Sequence, residues 1–568
     1  MKPKGAEWQL NITEEYNLWL QHTADNQELH QELVAMQNNK AQIEDAFYCE
    51  LPFGTAGLRG VMGAGTNRMN NYIVARASQG VAKYLKQNQE LPAVVIGYDS
   101  RNNSRNFAEI TAEVFAANGI EVHIWPELMP VPTVSFATRY LKAAAGIMIT
   151  ASHNPAKYNG YKVYGADGCQ ITTEAANSIL AEINKLDIFK DVKKADFQTA
   201  LASKQISYID DAVYNAFLKE VKQQSVLFGE EVQKDAAIVY TPLNGTGLKP
   251  VTQILAEAGY TNIKIVPEQK LPDGNFPTCP YPNPELAEAL KLGIEYARTN
   301  NADLLLATDP DCDRVGIAVR DEHDEYRILT GNQVGVLLLD YICSQRSKHH
   351  QLPEAAVMIK TVVTTAMAEQ IAQSYGVRTI NVLTGFKYIG EQIGLLEQKG
   401  MAGNYIFGFE ESCGYLSGPY VRDKDGVNAA YLICEMYSYY ATQGISILQK
   451  LAELYKKHGY SINLTCSYEF DGSTGLAKMQ QIMNNLRQGV SELAGKKVTS
   501  VLDYAGGVNG LPAENMLQFT LEDKCSVIVR PSGTEPKLKT YIYAIGESKT
   551  QAEQIAEKLI ASSKELLK

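Results

Sequence analysis

The sequence predicts an α/β protein built from several layered domains, and three observations carry that expectation. Short β-branched or leucine-rich runs end in polar loops and lead into helical stretches. Residues 93–97 run into Tyr98-Asp99-Ser100-Arg101, residues 236–240 into Thr241-Pro242-Leu243-Asn244-Gly245, and residues 380–383 into Thr384-Gly385-Phe386-Lys387. Strands alternating with helices in this way stack as α/β layers. The chain has 568 residues, too many for one hydrophobic core and enough for roughly four domains. Its hydrophobic content of 45% and charged content of 21% are those of an ordinary globular protein. Sheets of this kind bind ligands beyond the carboxyl ends of their strands, so chemistry is expected in the polar loops that follow apolar runs.

Composition removes several classes of function. No apolar run approaches the ~18 residues needed to span a bilayer, and Met1-Lys2-Pro3-Lys4-Gly5-Ala6-Glu7 has no apolar signal core. Nine cysteines, scattered without framework spacing, fit a reducing cytoplasm. A net charge of −11 argues against nucleic acid as the main partner. It also requires that an anionic substrate be drawn by a local basic patch, for which Arg59, Lys162, Lys387, Lys424, Arg530 and Lys537 are candidates. Neither a Walker A loop nor a complete dinucleotide glycine fingerprint is present. The expected domains are residues 1–208, 209–324, 325–459 and 460–568. The second ends at the polar run Asp321-Glu322-His323-Asp324-Glu325, and the third at His458-Gly459, which punctuates a helix.

Four loops carry chemistry. The first, Thr150-Ala151-Ser152-His153-Asn154-Pro155, follows the apolar run 143–149. Pro155 forbids a continued ladder, so a serine stands on a sharp loop at a strand end. Ten residues on, Lys162 lies in Tyr161-Lys162-Val163-Tyr164; with the turn 165–168 and Cys169-Gln170-Ile171-Thr172 this reads as a β-hairpin. A strand-end serine near a lysine and a histidine suits covalent chemistry at oxygen, although Ser-His-Asn-Pro also makes an ordinary turn. The second loop is Thr308-Asp309-Pro310-Asp311-Cys312-Asp313-Arg314, after the apolar run 304–307. Its alternating carboxylates repel one another, and a hard divalent cation with oxygen ligands, Mg²⁺ or Ca²⁺, relieves that repulsion; an acidic solvated turn is the plainer alternative. The third, Gly408-Phe409-Glu410-Glu411-Ser412, offers carboxylates and a hydroxyl to sugar hydroxyls, or is a capping turn. The fourth, Arg530-Pro531-Ser532-Gly533-Thr534-Glu535-Pro536-Lys537, combines a guanidinium fork, hydroxyls, an opened backbone and an ammonium. That is a phosphate cradle, or a basic surface turn.

Together these loops closely resemble those of the α-D-phosphohexomutase superfamily, the phosphoglucomutase and phosphomannomutase enzymes, in the same order and over essentially the whole chain. Phe53-Gly54-Thr55-Ala56-Gly57-Leu58-Arg59-Gly60 and Gly65-Thr66-Asn67-Arg68-Met69-Asn70 resemble the N-terminal motif of its phosphoglucomutase-2-like branch. The resemblance implies a four-domain, heart-shaped architecture: three α/β-layered domains and a smaller C-terminal α+β domain around a central cleft, with one loop from each. It implies that Ser152 is phosphorylated and binds Mg²⁺ together with Asp309, Asp311 and Asp313. Lys162 falls on the family's general acid/base, Arg59 on the arginine near the reacting phosphate, and His153 joins the catalytic set. Glu410 and Ser412 fall on the sugar contacts. Arg314, Thr384, Gly385, Lys387, Lys424, Arg530, Ser532, Gly533, Thr534 and Lys537 complete the expected substrate-binding set.

The activity so implied moves phosphate between C1 and C6 of an α-D-glucose phosphate through glucose 1,6-bisphosphate, which is both intermediate and activator. Small sugar phosphates are the expected partners, without nucleic acid or membrane. A lysine among cations could have a lowered pKa. Some family members carry a histidine two residues after the sugar-loop serine; here Gly414 stands there, which resembles the glucose-type loop. Phosphopentomutase and phosphomannomutase remain alternatives within the family. A phosphatase or a non-catalytic sugar-phosphate sensor are the alternatives outside its chemistry.

Overall fold

The structure, a computed structural model, describes residues 12–470, 472–531 and 537–567. Four sheets follow one another along the chain, as the strand-and-helix alternation predicts. The first contains β1 (Leu58–Val61), β2 (Ala93–Tyr98), β3 (Glu121–Ile124), β4 (Ala145–Ile149), β5 (Tyr158–Gly165) and β6 (Ile206–Tyr208), in spatial order β1-β5-β4-β2-β3-β6. The second contains β7 (Ile238–Thr241), β8 (Ile263–Ile265), β9 (Leu304–Thr308), β10 (Val315–Arg320) and β11 (Tyr326–Leu329), ordered β11-β10-β9-β7-β8. The third contains β12 (Val357–Thr361), β13 (Arg378–Val382), β14 (Tyr405–Glu410) and β15 (Gly414–Leu416), ordered β13-β12-β14-β15. The fourth, wholly antiparallel, contains β16 (Tyr460–Glu469), β17 (Glu492–Leu493), β18 (Lys496–Asp503), β19 (Leu517–Leu521), β20 (Ser526–Pro531) and β21 (Lys537–Gly546). The helices Gly472–Arg487 and Lys549–Leu566 make this last unit α+β.

One construction recurs. In each of the first three sheets a buried strand pairs in parallel with one neighbour and then turns back antiparallel against the next: β4 into β5, β9 into β10, β14 into β15. In the fourth sheet β20 also turns back antiparallel into β21, but there its other neighbour, β19, is antiparallel too. The loops at Ser152, Asp309–Asp313 and Glu410 are therefore hairpin tips at the carboxyl ends of strands that have neighbours on both sides. The strands are buried on both faces: β4, β9 and β14 have no exposed residue. That is why they read as continuous apolar runs rather than alternating ones.

Two expectations change. Residues 161–172 do not form a free-standing hairpin: β5 pairs along its length with β4 and β1, and the return limb makes only an isolated bridge, Tyr164 with Gln170. The polar run 321–325 is not a break between domains. Asp321 Oδ1 accepts the backbone N–H groups of His323 and Glu325, each at 2.9 Å, and closes a turn between the paired strands β10 and β11. The second sheet thus continues to Leu329. At the other end of the third unit the helix Ile447–His458 stops at Gly459, with φ +90°.

One apolar cluster reaches all of the first three sheets, with Met148, Phe217, Tyr240, Leu306, Leu337, Phe409 and Tyr415 in it, and the first sheet buries a separate core on its other face around Trp19, Phe115, Ile147 and Tyr161. The fourth unit has its own core, around Met483, Phe519, Val527, Leu538 and Leu559. A small seam of Val363, Leu383, Tyr504, Met516, Ile528 and Tyr541 joins it to the third.

Candidate active site

The serine loop is held from below by its own threonine. The Ser152 N–H donates to Thr150 Oγ1 at 2.8 Å, and Ser152 adopts φ +52°, a left-handed conformation uncommon outside glycine. The Ser152 hydroxyl donates to Asp309 Oδ2 at 2.8 Å and lies 3.2 Å from His153 Nδ1. The serine of the first unit thus meets the aspartates of the second. On β5, Lys162 stands opposite Met148 of β4 and is buried. Its Nζ donates to Asp311 Oδ2 at 2.9 Å and lies 3.5 Å from Asp313 Oδ2. Burial works against its charge, but the facing carboxylates of Asp311 and Asp313 outweigh burial and raise its pKa. The lowered pKa that the sequence leaves open for Lys162 is therefore not what this environment produces. His153 shifts the other way: burial, then Arg314 and Arg59, push its pKa well below the usual imidazole value.

The three aspartates are buried, with one carboxylate oxygen from each lying within 4.8 Å of the others. Asp309 Oδ1 accepts the backbone N–H groups of Asp313 and Arg314 at 3.1 and 3.0 Å, which folds the loop around it. Cys312 supplies the turn with φ +50°. Gly426 lies against it so closely that a Cβ there would stand 2.6 Å from the Cys312 carbonyl oxygen. Burial, then Asp311 and Asp313, raise the Asp309 pKa well above the carboxylate range. Asp313 is also penalised by burial, but Lys424, Lys162 and Arg314 hold its pKa below the usual range. Oδ1 of Asp311 and Oδ1 of Asp313 are buried without a hydrogen-bond partner among the described residues. Three converging carboxylates with unsatisfied oxygens, and the Ser152 hydroxyl beside them, fit a hard divalent cation.

Around this centre the remaining expected residues divide. Glu410, buried at the end of β14, accepts the Gly385 N–H at 2.9 Å, so the third unit's two loops are tied together. Thr384 Oγ1 beside it is buried without a partner among the described residues. Lys387 Nζ reaches back to Thr55 Oγ1 of the first unit at 2.9 Å. Arg314 donates to Glu285 at 2.6 Å and to the Ser412 carbonyl at 3.0 Å. Lys424 is held at the aspartates, 3.2 Å from Asp313 and 3.1 Å from Asp423. Arg59 is exposed on β1 opposite Gly160. Arg530 donates to Glu514, and Lys537 pairs with Glu469 at 3.1 Å. Ser532, Gly533 and Thr534 lie outside the described residues.

Some residues at the site carried no message in the sequence reading. Asp423 accepts from Tyr164 and Gln170 of the first unit at 2.9 and 3.0 Å and so orients Lys424 across the domain boundary. Its flanking charges in Arg422-Asp423-Lys424-Asp425 were a usable sign. Glu411, by contrast, is one of the two carboxylates the sequence marks in the sugar loop; burial and Glu410 push its pKa up to about 7, and it faces Thr361 and Thr364 at 3.4 and 3.3 Å. Asp99 and Arg101, visible only as part of a strand-end loop, support the serine from behind.

A strand-end serine, a buried carboxylate triad and two lysines, brought together from three α/β units, define an enzyme site for phosphoryl transfer. Comparison with known proteins gives the family. Models described as phosphoglucomutase/phosphomannomutase alpha/beta/alpha domains I, II and III match residues 50–189, 215–322 and 330–458, and the C-terminal domain model matches residues 474–562. A phosphoglucomutase of Staphylococcus saprophyticus is 36% identical over 539 residues, covering 92% of this chain and 95% of its own. Among solved structures, the open form of pp63/parafusin, a phosphoglucomutase from Paramecium, superimposes with TM-score 0.69 at 18% identity, covering 92% of this chain and 95% of that one. A phosphoglucomutase/phosphomannomutase family protein from Burkholderia thailandensis does so with TM-score 0.66, also at 18% identity, covering 90% and 97%. The chain belongs to the phosphoglucomutase/phosphomannomutase family.

Proposed function

We propose that the protein interconverts α-D-glucose 1-phosphate and glucose 6-phosphate through a phosphorylated Ser152 and glucose 1,6-bisphosphate. The observation that carries this is the Ser152 hydroxyl, 2.8 Å from Asp309 and at the mouth of the aspartate cluster, with Lys162 on the adjoining strand bound to Asp311 at 2.9 Å. In each half-reaction one P–O bond breaks and one forms. The phosphoryl group leaves Ser152 Oγ for the free hydroxyl of the bound monophosphate, and one proton passes from that hydroxyl to the released Oγ. Lys162 is assigned that proton, giving it to Oγ and being refilled by the sugar hydroxyl. Asp309, Asp311 and Asp313 would hold Mg²⁺, which spreads charge from phosphoryl oxygens when bound. Glu410 and Ser412 orient the sugar, and Arg530, Lys537 and the loop between them grip the phosphate that is not reacting. That remote grip helps to orient the reacting end.

Preference for glucose over mannose has a structural support. Where some family members carry histidine, a Cβ at Gly414 would stand 2.1 Å from Lys424 Cδ. Lys424, fixed between Asp313 and Asp423, fills that space. Nine unpaired cysteines suit a reducing compartment, and we place the protein in the cytoplasm. No helix among the described residues is long and apolar enough to cross a membrane.

The test measures kcat/KM on glucose, mannose and ribose 1-phosphates side by side, each read through its own product (glucose 6-phosphate, mannose 6-phosphate or ribose 5-phosphate), with the glucose reaction run with and without glucose 1,6-bisphosphate. Glucose 1-phosphate should give the highest kcat/KM. Ser152→Ala should lose nearly all turnover while keeping the parent Tm. Near-normal turnover by that variant would sink the mechanism, and a higher kcat/KM for ribose or mannose 1-phosphate would reassign the substrate.

A further inference from the structure

We infer that Arg101 is a positioning residue for Ser152, and that Phe276, from the second unit, keeps it in place. The inference rests on the mutase reading above. Arg101 is 3% exposed, and its guanidinium is spread over a single loop. One terminal nitrogen donates to the carbonyls of Pro155 and Tyr158 at 3.0 and 3.1 Å; the other donates to Ser152 at 2.5 Å and to Asn154. Four carbonyl oxygens of the segment that presents Ser152 thus converge on one cation. Without a cation among them, such dipoles repel, and the left-handed Ser152 backbone would be left to the Thr150 hydroxyl and the Asn154-to-Ala151 turn bond alone. The charge is balanced by Asp99, whose Oδ2 lies 3.4 Å from Arg101 Nε and 2.6 Å from Thr150 Oγ1, the same hydroxyl that receives the Ser152 N–H. Guanidinium, carboxylate and threonine therefore fix both sides of the serine's peptide.

The contact from the second unit is equally specific. The Phe276 ring centroid lies 5.0 Å from Arg101 Cζ, in a cation–π arrangement. Phe276 is 1% exposed and adopts φ +47°, a conformation rare for an aromatic residue and one that persists only when its surroundings demand it. The loop carrying it runs against the Arg101 backbone. Asn102 Nδ2 donates to Asn275 at 2.9 Å, and a Cβ on Gly274 would stand 2.3 Å from the Asn102 nitrogen. The unit that supplies the aspartates therefore also caps the residue that orders the serine loop.

Arg101→Lys keeps the charge but cannot reach four carbonyls in one plane. Phe276→Leu keeps the bulk but removes the ring. Both are assayed with the unsubstituted protein for kcat and KM on glucose 1-phosphate, for phosphate on Ser152 by intact mass, and for Tm. Misplacing the serine should lower kcat about 100-fold in Arg101→Lys and about fivefold in Phe276→Leu, with KM changed less than about threefold, because the sugar contacts lie on other units. A kcat within about twofold of the parent in either folded variant, or an effect confined to KM, overturns the inference. If Arg101→Lys does not fold, Phe276→Leu decides; loss of fold in both assigns the pair a structural role and also overturns it. No turnover by the unsubstituted protein would instead remove the mutase reading and this inference with it.

Discussion

At the scale of single residues, the three aspartates are not equivalent, and their differences can be measured. Asp309 bears the repulsion: burial and both neighbours raise its pKa, and its oxygens face a hydroxyl and two backbone N–H groups rather than a cation. An asparagine there keeps an acceptor for the two N–H groups and turns an amide toward Asp311. Asp313, by contrast, is matched to Lys162 and Lys424 at 3.5 and 3.2 Å, and neutralising it leaves two buried ammonium groups with one counter-charge fewer. In excess EDTA the order of Tm should be Asp309→Asn above the parent and the parent above Asp313→Asn, with about 1 kcal/mol gained in the first and about 2 kcal/mol lost in the second. With Mg²⁺ restored, both variants should bind the ion more weakly than the parent by calorimetry. A reversed order in EDTA would show that repulsion at Asp309 is already relieved by the protein. The same balance explains Lys162: the aspartates that ask for a metal also hold the lysine protonated.

At the scale of elements, loops were legible and their supports were not. The loops at Ser152, Asp309–Asp313 and Glu410 announced themselves because each follows a doubly buried strand and sets reactive side chains at its end, a serine beside a histidine in the first and clustered carboxylates in the other two. The Arg101 fork left no such sign, since its partners are backbone carbonyls more than fifty residues away, and any residue supplies a carbonyl. The pairing of β5 with β4 and β1 was hidden for a related reason, because a buried central strand looks the same whichever neighbours it takes. The helix Gly426–Thr442 shows an element whose support can be tested by pH. Its cap, Asp425, accepts the N–H groups of Val427 and Asn428 at 2.8 and 3.0 Å and the Tyr420 hydroxyl at 2.7 Å, yet burial pushes its pKa up to about 6. The folded state therefore binds this proton more tightly than the unfolded chain does. The contribution of Asp425 to stability is full below the unfolded value near 4 and is lost as pH rises through about 6. Asp425→Asn keeps the cap acceptor and removes the titration. The stability of the variant relative to the parent should be more favourable at pH 8 than at pH 4.5, by at most about 3 kcal/mol. Thermal or denaturant unfolding at the two pH values reads this, and an equal difference at both would refute it.

At the scale of the whole molecule, the chain divides unevenly. One apolar cluster reaches all of the first three sheets, the first adding a core of its own on its other face, whereas the fourth unit has no share in that cluster and meets the third across a small seam. The chain passes between them once, at Gly459, directly after a helix capped at its start by Ser446 and Gln449. Ser152, the aspartates, Lys162, Glu410 and Lys424 all lie on the larger body, while Arg530 and Lys537 lie on the smaller. A chain ending at residue 459 should therefore fold. It should keep a cooperative melting transition and an affinity for Mg²⁺ within about threefold of the full chain, because every contact of the aspartate loop named above is retained. The exposed seam residues Val363 and Leu383 should make it less soluble. Turnover should fall at least about 1000-fold, since the grip on the distant phosphate proposed for Arg530 and Lys537 would be lost. On the proposed mechanism, slow release of phosphate from a phosphorylated Ser152 to water would need no such grip and should persist. Turnover above about 1% of the full chain would show that the last domain does not hold substrate, and an unfolded truncated chain would show that the seam, small as it is, completes the larger core.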